Sequence, residues 1–363
     1  MIERHRRREL GSLMLALVLS ACTSSPDTTH ASTATSPVPS TLAAGKPSIM
    51  FVSYTDTLTL PGDSEDFPSD ARVAGPDGRE WQVLIPGSER LSRLWSSAEG
   101  SVIAYRVLTG KAPMGEPAPA GIWVISSHGT QRIPVAPALL GVAAVAADGH
   151  AVYVTHGHDV VRYDVRTGDV STMCTQCVRW QQHPLSIAVS ADESRIAVSS
   201  FPKGDATIHE FSDVTIIDAH TGVTLWTHEY LSLTRVEAFI DDTSLVATVD
   251  SEASADRSPS NGALHILSGI GSGHVVDRPT GISAYGPVDH VGGTWWYYRD
   301  SWNWITSVYT NTDLTPAHES KVADRVDGTT SYDYHPVPSG AGLPSAVPAG
   351  PTLVARPTMS PPG

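Results

Sequence analysis

Between Val152 and Val170 the chain reads as two short apolar runs, Val152–Thr155 and Val160–Val165, joined by a polar turn carrying Gly157 and Asp159. The second run ends on Asp164-Val-Arg-Thr-Gly168. Alternating and β-branched residues bounded by glycine and aspartate predict a β-hairpin that stops at the glycine. The same strand and turn recur at Asp213–Gly222, and more loosely at Gly121–Gly129 and Gly262–Gly269. A different unit precedes each of them: apolar strand, small or acidic turn, apolar strand. It occupies Leu94–Tyr105, Val142–Tyr153, Leu185–Val198 and Val236–Ala247, with a degenerate copy at His290–Tyr298.

The turns at Glu99, Asp148, Asp192, Asp241 and Gly292 lie about 44 to 51 residues apart, a period that marks a propeller of four-stranded blades. A β-sandwich also has closely spaced strands, but it does not repeat a whole multi-strand unit at this interval. The expected fold is all-β, a β-propeller over 46–335. Its roughly 290 residues divide into six blades, or seven if the ends are compressed. Further copies begin at Ile49–Tyr54 and run through Ser331–His335, so one blade is expected to draw strands from both ends of the chain. In the repeat, Gly168 and Gly222 fall where the chain reverses into a fourth strand, a place that calls for positive φ. Gly129 and Gly269, in looser copies, are expected to tolerate substitution better.

Composition agrees with many short strands. Charged residues make up 17%, against 30 glycines and 27 prolines, which argues against long helices. The formal net charge is −14. Removing residues 1–21 deletes four arginines and two glutamates, net +2, and leaves −16. Such a surface disfavours nucleic acid, whose binding needs Lys and Arg on phosphates, and it repels anionic lipid headgroups.

The ends change the picture. Arg4, Arg6, Arg7 and Arg8 precede an apolar run, Leu13–Leu19, that is too short to span a bilayer, and the run closes on Leu19-Ser-Ala-Cys22. This resembles the lipobox of bacterial lipoproteins. The resemblance implies a signal peptide over 1–21, lipidation of Cys22, and attachment to the cell membrane on its extracytoplasmic side. Residues 22–45 are a Ser/Thr/Pro-rich tether and 336–363 a Pro/Gly-rich tail, both expected to be disordered. Within the repeats, Val152-Tyr-Val-Thr and Val160–Gly168 resemble YVTN-type and TolB-type propellers. Val214–Trp226 is similar to the blade repeat of quinoprotein-like, and more broadly WD40-like, propellers. The resemblance covers roughly Leu94–Leu267 and speaks to fold, carrying no catalytic residue with it.

Candidate chemistry is sparse. Cys174-Thr-Gln-Cys177 lacks the histidine of a haem site and the further ligands of a zinc site, with only His183 near, so an extracytoplasmic disulfide is the preferred reading. No metal site is assigned; His156 and His158, with His150 and Asp159 close in sequence, are weak candidates. Asp56, Asp63, Glu65, Asp66 and Asp70 lack a calcium-loop frame and read as a solvated loop. Trp295-Trp-Tyr-Tyr298, with Trp302 and Trp304, reads as core between blades. No nucleophile elbow, phosphate loop or metalloprotease motif is present, and no cofactor is implied. The expected function is a membrane-tethered binding module for a protein, glycan or small-molecule ligand. The alternative is a propeller enzyme, a lactonase-like hydrolase or a lyase, with His, Asp or Glu side chains converging on the central channel.

Overall fold

The computed structural model describes residues 49–56, 69–75, 80–109, 118–136, 140–178, 184–200, 212–250, 262–300, 306–324 and 331–338. In chain order its strands are β1 (Ile49–Asp56), β2 (Ser69–Ala74), β3 (Glu80–Ser96), β4 (Ile103–Thr109), β5 (Ala118–Ser126), β6 (Gly129–Arg132) and β7 (Leu140–Val145). They continue as β8 (Ala151–His156), β9 (Asp159–Asp164), β10 (Val170–Cys174), β11 (Pro184–Val189), β12 (Arg195–Ser200), β13 (Ser212–Asp218) and β14 (Thr224–Tyr230). The last are β15 (Thr234–Asp241), β16 (Ser244–Val249), β17 (Gly262–Ser268), β18 (Val276–Val291), β19 (Thr294–Asp300), β20 (Thr306–Asn311), β21 (Ser320–Asp324) and β22 (Ser331–Pro338). A single 3-10 turn, Pro316–His318, is the one helical element among the described residues, and none of their helices is long and apolar enough to cross a membrane.

Pairing is antiparallel throughout and follows the repeat: β7 to β10 form one four-stranded sheet and β11 to β14 another. Two longer sheets, β22-β1-β2-β3-β4-β5-β6 and β15 to β21, each contain one long strand shared by two four-strand groups. The first half of β3 pairs with β2 and its second half with β4. β18 likewise serves β17 and then β19. The innermost strands touch in the cycle β22, β3, β7, β11, β15, β18 and back to β22. A cycle of this kind encloses the innermost strands and leaves the outer strands β6, β10, β14 and β21 as the sheets' edges. The fold is an all-β propeller.

Apolar residues of successive groups meet face to face, and that is where the core lies. Leu94, Tyr105 and Trp123 pack with Val52, Val73 and Leu84. Val152, Val154 and Val161 pack with Ala104, Ile122 and Val124. Trp295 and Tyr297 pack with Val246, Leu264 and Ile266. Each large side chain so buried contributes about 1.5–3 kcal/mol. The aromatic run Trp295–Tyr298 is buried along its whole length, whereas Trp302 and Trp304 lie outside the described residues.

β1 pairs with β22, so strands from the two ends of the described chain lie side by side. β22 continues three residues past the boundary expected at 335: Met50 pairs with Val337 and Ile49 with Pro338, and Val337 is fully buried. Proline is tolerated there because β22 is an innermost strand with one unpaired edge.

Strand alternation separates two ends of the ring. The turns after first and third strands lie at one end, and three groups bond theirs together. Val165 donates its backbone N–H to the His150 carbonyl, Ala219 to Ser194 and Ile270 to Thr243, the same bond in three successive groups. The connections 57–68, 110–117, 201–211, 250–261 and 301–305, which follow second strands, leave from the opposite end.

Candidate functional site

The ring's centre collects charge that the repeat did not announce. On β15, Val236 pairs with Ala247 and Ala238 with Val246, so Glu237 is the extra residue of a β-bulge. Bulges re-aim side chains. Glu237 Oε2 accepts the backbone N–H of Val288 on β18 at 3.3 Å, while Oε1 lies 3.9 Å from Arg235 Nε. Arg235 Nη2 lies 3.5 Å from Asp250 Oδ1. The Glu237 side chain is 7% exposed. Burial pushes its carboxyl up to about 7, against the opposing pull of Arg235, Thr248 and the Val288 N–H, and Asp289 adds to the rise. Burial also raises Asp250, with Arg235 opposing.

Next to Val288, Asp289 follows a second register irregularity, between Tyr285 and Asp289. Its Oδ1 lies 3.3 Å from Nδ1 of His335 on β22. His335 Nε2 donates to the Leu94 carbonyl on β3 at 2.9 Å. A carbonyl can only accept, so Nε2 carries the proton of that bond. The side chains of Glu237, Asp289 and His335 thus come from three innermost strands and meet a fourth through Leu94. This arrangement gathers two carboxyl groups and an imidazole, with buried oxygens, where these strands meet.

A second polar cluster sits at the short-turn end. His150 contacts Asp148 through Nδ1 and Glu193 Oε1 through Nε2, the latter at 2.6 Å. Glu193 Oε2 accepts from the Tyr153 hydroxyl and faces Arg162 Nε at 3.4 Å. These carboxylates tie the β7–β8 turn to the β11–β12 turn of the next group. Among the described residues, Asp148, His150 and Glu193 are the group whose ligand atoms converge closely enough for an ion.

His156 and His158 do not join it. His158 Nδ1 donates to the Val178 carbonyl at 2.7 Å, its own carbonyl accepts the Val178 N–H, and Asp159 Oδ1 accepts the Gln176 N–H. These bonds stitch the β8–β9 turn to the loop carrying Cys174 and Cys177, whose Cα atoms are 5.9 Å apart, within disulfide range. His156 ends β8 with a buried Nε2 that has no hydrogen-bond partner. Gly168 and Gly222 have φ of +79° and +69°. Each donates its N–H to an aspartate carbonyl, Asp164 or Asp218, whose carboxylate in turn accepts the backbone N–H groups of the turn. Cys22, Asp63, Glu65, Asp66 and His183 lie outside the described residues; Asp56 and Asp70 fall in β1 and β2.

Sequence reasoning missed Arg235, Glu237, Asp289 and His335. A signal was there: Arg235 and Glu237 interrupt a strand whose counterpart Val142–Val145 is wholly apolar.

The cycle of sheets defines the fold as a β-propeller. Among solved structures the chain is similar to TolB from Acinetobacter baumannii, with 14% identity, a TM-score of 0.51, and coverage of 80% of this chain and 67% of that one. It is also similar to oligogalacturonate lyase from Vibrio parahaemolyticus (11% identity, TM-score 0.43, 77% and 75% of the two chains). A third is the acylaminoacyl peptidase from Pyrococcus horikoshii (12% identity, TM-score 0.46, 64% of this chain), of which the chain spans only 39%. At such identities the likeness is one of fold. No protein-family model matches the chain, and no curated protein matches it.

Proposed function

We propose that this chain is a lipid-anchored, extracytoplasmic β-propeller that acts as a binding module for a protein, glycan or small-molecule ligand. The observation that carries the reading is the asymmetry of the ring. One end is a sheet of short, mutually bonded turns, and the connections after second strands all leave from the other. A rigid scaffold presenting loops on one face is a common way to build a binding surface. Splitting the shared strands β3 and β18 gives six blades, the count supported by the cycle of innermost strands. Cys22 carries the anchor, and Cys174 and Cys177 form a disulfide once outside the cytoplasm.

Photoreactive residues placed one at a time at positions 158, 176, 220 and 243 of the full chain test this in cells. Adducts are expected from 158 and 176, at the loop end. Adducts only from 220 and 243, or from no position, would overturn the reading. A second reading, an enzyme with its site in the channel, is favoured by the Glu237, Asp289 and His335 arrangement. A carboxyl that burial pushes up to about 7, beside a second carboxyl and an imidazole, suits general acid–base chemistry.

A further inference from the structure

The short turns follow one plan, and one of them departs from it. In the β11–β12 turn the Ser194 N–H donates to Asp192 Oδ1, and in the β15–β16 turn the Thr243 N–H and hydroxyl both donate to Asp241 Oδ1. The β7–β8 turn keeps the backbone bond, from the His150 N–H to Asp148 Oδ1 at 3.1 Å, but sets an imidazole where its counterparts carry a hydroxyl. That imidazole reaches the next group of strands and meets Glu193, which stands where the other two turns carry Gly149 and Asp242.

A neutral imidazole has one N–H to share between two carboxylates. Given from Nδ1 to Asp148, that proton leaves Nε2 a lone pair facing Glu193 Oε1 at 2.6 Å. Two lone pairs so close repel unless positive charge lies beside them. Glu193 is not free to turn away, because Oε2 accepts from the Tyr153 hydroxyl and faces Arg162 Nε at 3.4 Å. Arg162 is engaged there and with Asp164.

We propose that Asp148, His150 and Glu193 form a site for a divalent transition-metal ion of the zinc type, which clamps the β7–β8 turn to the β11–β12 turn. His150 binds through Nε2 and Glu193 through Oε1. Asp148 orients the imidazole and brings a carboxylate oxygen into the same group, whose ligand atoms lie within 4.8 Å of one another. A carboxylate on the far ring nitrogen and hydrogen bonds on the spare oxygen of a ligating carboxylate are the supports that metal ligands have. Imidazole beside carboxylate suits Zn2+, whereas Ca2+ takes oxygen ligands. Asp148 and His150 are exposed, so an ion and its waters have access. The site lies at the short-turn end and is independent of the binding-module reading.

The test uses the full chain purified in detergent and stripped with EDTA, with Zn2+ and Ca2+ as probes at pH 7.5. Calorimetry and thermal melting are expected to show one saturable Zn2+ site and a raised Tm, with no saturable response to Ca2+. His150→Ala and Glu193→Gln should each weaken Zn2+ binding about tenfold or more. His318→Ala should leave it unchanged, since His318 faces one carboxylate, that of Asp313. Should His150→Ala not fold, Glu193→Gln is isosteric and should show the same loss. No saturable Zn2+ binding, Zn2+ binding unchanged in both variants, or a Ca2+ response equal to that of Zn2+ would overturn the proposal. A lowered Tm of His150→Ala without any Zn2+ response would overturn it too, and would leave the three side chains as a hydrogen-bonded clasp.

Discussion

His335 donates from Nε2 to the carbonyl oxygen of Leu94, 2.9 Å away, although 241 residues separate them in sequence. The bond joins β22, the last described strand, to β3 and helps hold the ring shut. His335→Ala removes this donor from Leu94 and is expected to destabilise the propeller by about 0.5–1.5 kcal/mol, the net worth of one hydrogen bond. Glutamine keeps one donor, so His335→Gln should recover part of the loss. Urea midpoints of the three proteins check this; equal midpoints would mean that ring closure does not depend on this contact.

Glu237 makes stability depend on pH. Its folded value of about 7 lies above the ordinary glutamate value of 4.5, so the protonated form is favoured by folding. The resulting stabilisation is complete below about pH 4.5 and is lost as pH rises through about 7. With 1.36 kcal/mol per pKa unit, the full loss is about 3 kcal/mol. Glu237→Gln mimics the protonated acid, so it should be near neutral at pH 4.5 and stabilising at pH 8. Only the difference between the two proteins is diagnostic, because aspartates such as Asp192, lowered to about 2 by the Ser190 hydroxyl and Ser194 N–H, lose their own stabilisation in acid. A constant difference from pH 4.5 to 8 would sink this assignment.

At the turn glycines, backbone strain and available space separate. A Cβ at Gly168 meets nothing closer than the Tyr163 hydroxyl at 4.0 Å, so Gly168→Ala should cost only the left-handed penalty, about 1–2 kcal/mol. Asparagine should cost less there than valine. A Cβ at Gly222 would lie 3.0 Å from the Met173 carbonyl oxygen, and one at Gly269 only 2.5 Å from that of His274. The expected order of destabilisation by alanine is therefore Gly269, then Gly222, then Gly168. This reverses the tolerance expected of Gly269 from its looser repeat, because the clash comes from its own turn, closed by the Ser272 hydroxyl. Denaturant midpoints of the three variants check the ranking.

Loss of the anchor should be visible by fractionation. Cys22→Ala is expected to move the protein from the membrane to the soluble fraction, since a chain this acidic has no electrostatic hold on anionic lipid. A variant that still sediments with membranes after a carbonate wash would exclude lipidation at Cys22 as the attachment.

Much of this molecule is determined locally. β-branched alternation, acidic turns and the Asp-x-x-Thr-Gly stop act over a few residues, so the strand repeat, the reversals at Gly168 and Gly222 and the propeller could be read from the sequence alone. Other features exist only once strands are aligned. The bulge at Glu237 depends on how β15 registers with β16, and its two-versus-one pairing has no signature in composition. Pairing of Val337 with Met50 brought part of a proline-rich tail into the core. His335 stood at the end of a degenerate repeat copy and gained a role only beside Leu94 and Asp289. Ring closure decided these positions, because it sets side by side residues from opposite ends of the chain, where desolvation and shared protons then govern their chemistry.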